Sequence, residues 1–240
     1  MTCPWDSLTP AAMQFCEREL CAFIEQPANT WSNLIYVFIG AWIIRLASRA
    51  GRPDLRVIGW IEIVLGLGSM VFHATSSHLG AILDMAGMYV FVAYVLVFNL
   101  QRLLRARGGT GLSPAAANRL FLGIAIGSTA GVGVFADEVG IWVFASEAVR
   151  AGHFEVRLYR KHRDPSLDYR PIVHLLAAFA IAWTFWWLDV LKILCDPDNH
   201  ILQGHAAWHI LNSTCFLFLY RFQEQIAPLP DAEPAPSSPG

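Results

Sequence analysis

The chain has 240 residues, of which 17 are Lys or Arg and 19 are Asp or Glu, so its formal net charge is −2. Hydrophobic residues make up 55% and charged residues 15%, whereas soluble domains carry roughly 25% charged residues. This composition argues against a disordered chain and against a basic face that binds nucleic acid. The charge is also too sparse for a soluble surface, which leaves an integral membrane protein.

Seven apolar segments follow one another along the chain. A helix needs about 20 predominantly apolar residues to cross the hydrocarbon core of a bilayer. The segments comprise residues 29–46, 57–74, 79–100, 120–136, 139–154, 172–194 and 204–220. The fifth is the weakest because it carries Glu147, Arg150 and His153. We therefore predict an all-α, polytopic membrane protein with a seven-transmembrane-helix bundle.

Basic residues orient this bundle. Arginines cluster in and beside the first, third and fifth connections, at 45–56, 102–119 and 157–170, whereas the second, fourth and sixth connections contain no Lys or Arg. Because loops rich in Lys and Arg stay in the cytoplasm, we predict that the N-terminus lies outside and the C-terminus lies in the cytoplasm.

These predictions divide the chain into three parts. Residues 1–28 form an extracytoplasmic N-terminal segment, residues 29–222 the seven-helix membrane domain, and residues 223–240 a disordered cytoplasmic tail rich in Pro, Ser and acidic residues. The first segment lacks the basic start and continuous apolar core of a cleavable signal peptide. Cys195 falls on the outer side, where disulfides persist, and can pair with Cys16 or Cys21.

Ionisable side chains inside the predicted spans indicate a functional site, because placing them in lipid is costly. The helix directions bring a set of polar residues from three helices to a similar outer depth: Ser69, His73, Asp84, His205 and His209. His205 and His209 are four residues apart, so both imidazoles can lie on one helical face. Two such histidines and a third from elsewhere match a catalytic zinc site with an open fourth position.

This combination predicts hydrolytic chemistry. Zinc lowers the pKa of a bound water molecule to about 7 and so provides a nucleophile at neutral pH. Asp84 could orient that water and accept its proton, and the Ser69 hydroxyl can point toward the same cavity. We interpret the remaining five of the eight histidines as packing or hydrogen-bonding residues. Asp189 has two open interpretations, support of the site and helix packing.

Ordered motifs resemble the alkaline ceramidase family, within the CREST group of membrane hydrolases. They are, in chain order, Cys16-Glu17, Asn29-Thr30-Trp31-Ser32-Asn33, Gly68-Ser69-Met70-Val71-Phe72-His73-Ala74-Thr75, Leu83-Asp84, Trp187-Leu188-Asp189 with Cys195 following, and Gly204-His205-Ala206-Ala207-Trp208-His209. Each motif is weak by itself, but their order and spacing together are specific. They extend over most of the chain, so residues 29–222 resemble a ceramidase-like membrane domain.

The resemblance implies a zinc-dependent intramembrane amidase that hydrolyses the N-acyl bond of ceramide to a sphingoid base and a free fatty acid. The nucleophile would be zinc-bound water, and the metal ligands would be His73, His205 and His209. Asp84 would activate the water, and Ser69 would stabilise the developing oxyanion.

A calcium site is the point at which the chain departs from the family pattern. Eukaryotic members resemble each other in an acidic, Asp-Trp-Cys-Glu-type calcium loop, whereas the corresponding stretch here reads Gln14-Phe15-Cys16-Glu17-Arg18-Glu19. Calcium takes about six to eight oxygen ligands, and Glu17 and Glu19 remain as candidates, so Ca²⁺ is left open. The family pattern also implies a disulfide between Cys16 and Cys195.

Other functions stay open beside this one. A related membrane hydrolase would cut another acyl-amide or an ester lipid. A seven-helix zinc-containing receptor similar to the adiponectin receptors would have its amino terminus inside, opposite to our orientation. A transporter is disfavoured because the polar cluster is confined to one depth.

The expected partners are a ceramide-like membrane lipid and the lipid bilayer, with no nucleic acid, and the oligomeric state is left open. The 15 Arg against 2 Lys are compatible with a bacterial inner membrane, with the site toward the periplasm. An endomembrane protein with its site toward the lumen is the alternative.

Overall fold

In a computed structural model, the chain is described over residues 2–135 and 137–228, without the side chains at 134, 135, 137 and 138. These residues form eight α-helices and no strand, as the all-α prediction expects. The helices are α1 (Pro27–Ser32), α2 (Leu34–Arg49), α3 (Arg56–Thr75), α4 (His78–Ala106), α5 (Pro114–Phe135), α6 (Asp137–Lys161), α7 (Arg170–Val190) and α8 (Gly204–Gln223).

The first predicted span consists of two helices. Helix α1 begins at Pro27. Proline suits the first turn of a helix because backbone N–H groups there have no partner within the helix, so the missing N–H of proline costs no hydrogen bond. Asn33 ends α1 and precedes α2. At the other end of the bundle, α7 stops at Val190, earlier than residue 194, and the chain then passes through Lys192 with a left-handed φ of 54°.

Five segments are long and apolar enough to cross a membrane: Pro27–Arg49, Pro53–Thr75, His78–Ala106, Pro114–Gly133 and Arg170–Val190. Helices α6 and α8 do not reach this apolarity. Charged residues lower the hydropathy of α6, and two histidines and several other polar residues lower that of α8. A multi-pass membrane protein agrees with the five spans, while the count of seven and the orientation of the termini stay predictions.

Helix packing gives the bundle a defined order. Helix α3 packs between α2 and α4, α4 also packs against α5 and α6, and α8 packs against α7 and α2. The short α1 lies against α3 and α8. Large side chains without solvent exposure, such as Tyr89 and Phe216, form the core between the helices. The helices that carry the predicted site residues, α3, α4 and α8, therefore belong to one continuous core.

Residues 2–26, which we call the amino-terminal segment, run across the ends of α3 and α4. The backbone N–H of Ala11 donates to the carbonyl of Ser76 at 2.9 Å, and that of Gln26 donates to the carbonyl of His73 at 3.1 Å. These bonds place the segment directly over the end of α3 that holds the predicted site.

Two disulfides secure the amino-terminal segment. Cys16 is bonded to Cys195 in the loop between α7 and α8, which is the pairing that the family pattern implies. Cys3 is bonded to Cys21, a pairing that the sequence did not suggest. The Cys16–Cys195 bond ties the segment to the loop between α7 and α8, and the Cys3–Cys21 bond closes a loop within the segment.

Gln225, shortly after the end of α8, is hydrogen-bonded to Asp168 in the connection before α7. The backbone N–H of Asp168 donates to Oε1 of Gln225 at 2.8 Å, and Nε2 of Gln225 donates to the carbonyl of Asp168 at 3.1 Å. Residues 229–240 of the expected tail lie outside the described residues, so the domain boundaries stay predictions.

Candidate metal centre

A tight turn brings α4 back against α3 at the site. Ser76 ends α3 with a left-handed φ of 43°, and the Ser77 hydroxyl caps α4 by accepting the N–H of Gly80 at 3.1 Å. About two turns before the end of α3, a Cβ on Gly68 would lie 2.6 Å from the Leu83 carbonyl oxygen. A glycine before Ser69 therefore allows the α4 backbone to approach, which sets Asp84 beside Ser69.

Three imidazoles converge from α3 and α8. One potential ligand atom from each of His73, His205 and His209 lies within 4.8 Å of the others. The side chains are almost fully buried, with 1%, 3% and 2% of their residues' surface exposed. The Nε2 atoms of His73 and His205 are 3.1 Å apart. The structure thus brings together His205 and His209, which their spacing singled out, and His73, which its depth singled out.

The amino-terminal segment orients His73. Nδ1 of His73 lies 2.8 Å from Oε1 of Gln26, which is itself buried. Since an amide oxygen only accepts hydrogen bonds, the ring must carry its proton on Nδ1. Its Nε2 lone pair is then free to face the centre of the cluster.

Helices α1 and α8 together orient His209. Nδ1 of His209 lies 2.8 Å from Oγ of Ser32. The Ser32 hydroxyl donates its proton to the Asn29 carbonyl at 3.0 Å, so it accepts from His209. This ring is therefore protonated on Nδ1 as well, and its Nε2 lies 3.4 Å from Oγ of Ser69.

Packing holds the third ring. The ring of Phe15 lies 3.7 Å, centroid to centroid, from that of His205. The backbone N–H of His205 donates to Oδ2 of Asp189 at 2.9 Å, so Asp189 satisfies an unpaired donor of the first turn of α8. Nδ1 of His205 is buried and has no hydrogen-bond partner among the residues that the structure describes.

This donor set fits a zinc ion. Ligand nitrogens about 2.0–2.1 Å from a tetrahedral zinc are roughly 3.3 Å apart, close to the 3.1 Å between His73 and His205. Two nitrogen lone pairs at that distance would repel each other without a proton or a cation between them. In addition, metal-bound histidines normally donate their other N–H to a fixed acceptor, as His73 and His209 do. The three residues could therefore hold zinc with one position open.

A small cavity adjoins the three histidines. It has a volume of about 50 Å³, enough for an ion and a few water molecules. Ser69, Asp84, His205 and His209 all line it, and the ring of His73 packs against those of the other two histidines. All five candidate residues are therefore at or beside one cavity.

Several residues of the site were not found from the sequence. Gln26 and Ser32 bind the outer nitrogens of two histidines, and Phe15 packs on the third. Tyr36 and Asn212 line the cavity. Ser32 lies in a motif that resembles the family, and this was the one available signal for its position.

The other ionisable residues of the predicted spans lie elsewhere. Glu62 is fully buried between α3 and α8, where it accepts a hydrogen bond from Ser213 at 3.0 Å. Glu147 accepts one from Ser128 of α5 at 2.6 Å. Asp189 supports the site, because its second oxygen accepts the backbone N–H of Cys16 at 2.8 Å and so joins the amino-terminal segment to α8.

Both carboxylate oxygens of Glu17, a candidate calcium ligand, already have hydrogen-bond partners within the protein. One accepts the backbone N–H of Ala28 at 2.8 Å and lies 3.0 Å from Nδ1 of His200, and the other accepts the N–H of Asn29 at 2.9 Å. Lys192 lines the recess beside Glu17. Among the described residues, the histidine triad is the one group of three or more His, Cys, Asp or Glu side chains placed to hold a metal ion, and a calcium site at Glu17 and Glu19 stays an open prediction.

Comparison with known proteins places these residues in a family. The sequence model of the ceramidase family matches residues 8–229. An alkaline ceramidase of Drosophila melanogaster is 35% identical over 106 residues, which cover 41% of this chain and 38% of that protein. Alkaline ceramidase 1 of Mus musculus is 25% identical over 201 residues, which cover 78% of this chain and 69% of that protein. The match to the fly protein thus spans less than half of its length.

Proposed function

The chain belongs to the ceramidase family, and on that premise we propose that it is an intramembrane, zinc-dependent amidase. Its substrate is ceramide or a closely related lipid, whose N-acyl bond is hydrolysed to a sphingoid base and a free fatty acid. The observation that carries the proposal is the convergence of three buried imidazoles beside a serine and a carboxyl group in one cavity.

His73, His205 and His209 would hold the metal. Bound zinc acts as a Lewis acid on a carbonyl oxygen and lowers the pKa of a coordinated water. The protein supports this by fixing the rings: Gln26 and Ser32 accept the Nδ1 protons of His73 and His209. Neutral imidazoles with inward Nε2 lone pairs are the form that binds a metal.

Asp84 and Ser69 would carry the proton transfer and the charge stabilisation. Asp84 accepts a proton from the attacking water as the water oxygen bonds to the carbonyl carbon. It then delivers that proton to the amide nitrogen, which leaves as the amine when the C–N bond breaks. Ser69 donates a hydrogen bond from its hydroxyl to the carbonyl oxygen as negative charge develops there. Both side chains line the same cavity as His205 and His209, which supports their action on a single carbonyl.

A second cavity supports a lipid as the substrate. It is apolar, has a volume of about 450 Å³ and lies between α4, α6, α7 and α8. Trp183 lines it and contacts Trp186 and Trp208, which line the metal cavity, at 5.4 and 5.8 Å between ring centroids. A hydrocarbon chain of the substrate would occupy this space while the amide lies beside the histidines.

The site would lie toward the outer face of the membrane. With seven spans and the N-terminus outside, as the arginine distribution predicts, the ends of α3 and α8 that carry the histidines face the periplasm of a bacterial inner membrane or the lumen of an endomembrane. Attaching an impermeant label to single cysteines placed at each terminus of the chain tests this. Labelling of the C-terminal position in intact cells would contradict it.

The central experiment measures zinc content and lipid hydrolysis on the same purified protein. We expect about one zinc per chain and release of fatty acid from a ceramide panel, with no release from matched ester lipids. Cleavage of esters alone would favour a related hydrolase, and zinc without any hydrolysis would favour a receptor.

A further inference from the structure

Tyr36 and Asn212 form a polar pair inside the metal cavity. The Asn212 side-chain amide donates to the Tyr36 hydroxyl at 3.0 Å, joining α8 to α2. Both residues line the same cavity as Ser69 and Asp84. Tyr36 is 2% exposed, so its hydroxyl can meet only groups that enter this cavity.

Packing presets the position of the Tyr36 ring. A Cβ on Gly66 of α3 would lie 2.6 Å from the Cβ of Tyr36, so a glycine at this place lets the tyrosine lie close against α3. The ring also packs edge-on against His209 and Phe216, with centroids 6.1 and 6.3 Å apart. The phenol is therefore held rigidly, which reduces the entropy lost when it binds a ligand group.

The Tyr36 hydroxyl has a proton left to donate. A phenol is both a donor and an acceptor, and Asn212 uses the acceptor side. Among the described residues, no hydrogen bond takes up the Tyr36 proton. Buried tyrosine hydroxyls usually have a partner, and the open space in front of this one is the cavity.

The pair lies one helical turn beyond the histidines. Asn212 follows His209 on α8 by three residues, which at 1.5 Å per residue is about 4.5 Å along the helix axis. Its partner Tyr36 packs against His209 with ring centroids 6.1 Å apart. A group bound by Tyr36 would therefore be separated by a few bonds from a carbonyl placed at the histidines.

We propose that Tyr36 determines substrate specificity by donating a hydrogen bond to a hydroxyl near the amide. The substrate class is the N-acyl derivatives of long-chain 2-amino alcohols. This inference rests on the proposed function. It adds the residue that makes the enzyme selective for amides with a neighbouring hydroxyl over lipid amides without one. Asn212 is the positioning residue, because it acts through the phenol.

The test compares Tyr36→Phe with the unchanged protein on N-acyl sphinganine and on the matched amide lacking both hydroxyls. We expect kcat/KM for the hydroxylated lipid to fall about tenfold, as for one lost hydrogen bond, while the value for the deoxy lipid is unchanged. Asn212→Leu should show the same substrate pattern with a smaller loss. Tyr89→Phe is the matched control, because Tyr89 is equally buried, donates to the Gly140 carbonyl and is not among the residues that line the cavity.

Zinc content and thermal unfolding are measured on every variant, so that loss of the metal or of the fold is seen directly. Equal losses for both lipids, or no loss for either, would overturn the role of Tyr36 and leave the amidase function standing. If the unchanged protein hydrolyses neither amide, the proposed function and this inference both fail.

Discussion

Nδ1 of His73 lies 2.8 Å from Oε1 of Gln26, so a histidine of α3 is oriented by the last residue of the amino-terminal segment. The backbone N–H of Gln26 also donates to the His73 carbonyl at 3.1 Å, which fixes the amide relative to the ring. The segment that precedes the membrane domain therefore forms part of the candidate metal centre.

Replacing Gln26 tests this contact. Gln26→Leu removes the acceptor, and we expect zinc affinity to fall about 10- to 100-fold, the usual effect of losing such a partner. Gln26→Glu keeps an acceptor and should retain most of the affinity. Competition with a chromophoric chelator measures the affinity of both variants. The control is Gln101→Leu, at a buried glutamine of α4 that hydrogen-bonds to the Leu112 backbone. Unchanged affinity in Gln26→Leu would remove the orienting role.

Replacing a histidine of α8 should abolish metal binding and catalysis together. We expect His205→Ala or His209→Ala to leave no zinc after purification and no detectable fatty acid release, because two histidines no longer complete a three-ligand site. His174→Ala, at an exposed position of α7, should keep both. Metal analysis and the lipid assay check this. Full hydrolysis by either variant would contradict the proposed metal site.

Asp84 should be needed for the reaction and not for the metal. Asp84→Asn keeps the size of the side chain but cannot accept the proton, so kcat should fall by about 100-fold or more at an unchanged zinc content. Metal analysis and a kcat measurement on one preparation separate the two effects. A variant that loses zinc would instead mark Asp84 as a contributor to metal binding.

The two disulfides should differ in their effect on stability. Cys16 and Cys195 are separated by 179 residues, and Cys3 and Cys21 by 18. Loop-closure entropy predicts a stabilisation of about 3 kcal/mol for a short loop and about 5 kcal/mol for a long one. We therefore expect Cys195→Ser to lower the unfolding temperature in detergent more than Cys21→Ser does. The reverse order would show that local contacts outweigh chain entropy here.

Much of the helical architecture was predictable because it depends on local composition. Long apolar runs and arginine-rich connections indicated the helices, and the structure contains an α-helix at each of the seven segments. Helices α6 and α8 are less apolar than a membrane span normally is. In α8 the polar residues include the histidines themselves, so the feature that indicates the site also weakens the signal for a span.

By itself, the sequence determined that His205 and His209 share one face of a helix, since a spacing of four residues sets this in any α-helix. Tertiary structure decided which residues surround them. Gln26 and His73 are 47 residues apart, and Ser32 and His209 are 177 apart, distances over which no helical period relates one position to another. Such contacts arise when the amino-terminal segment, α1, α3 and α8 pack together, because only that packing brings their polar groups within hydrogen-bond distance while excluding water.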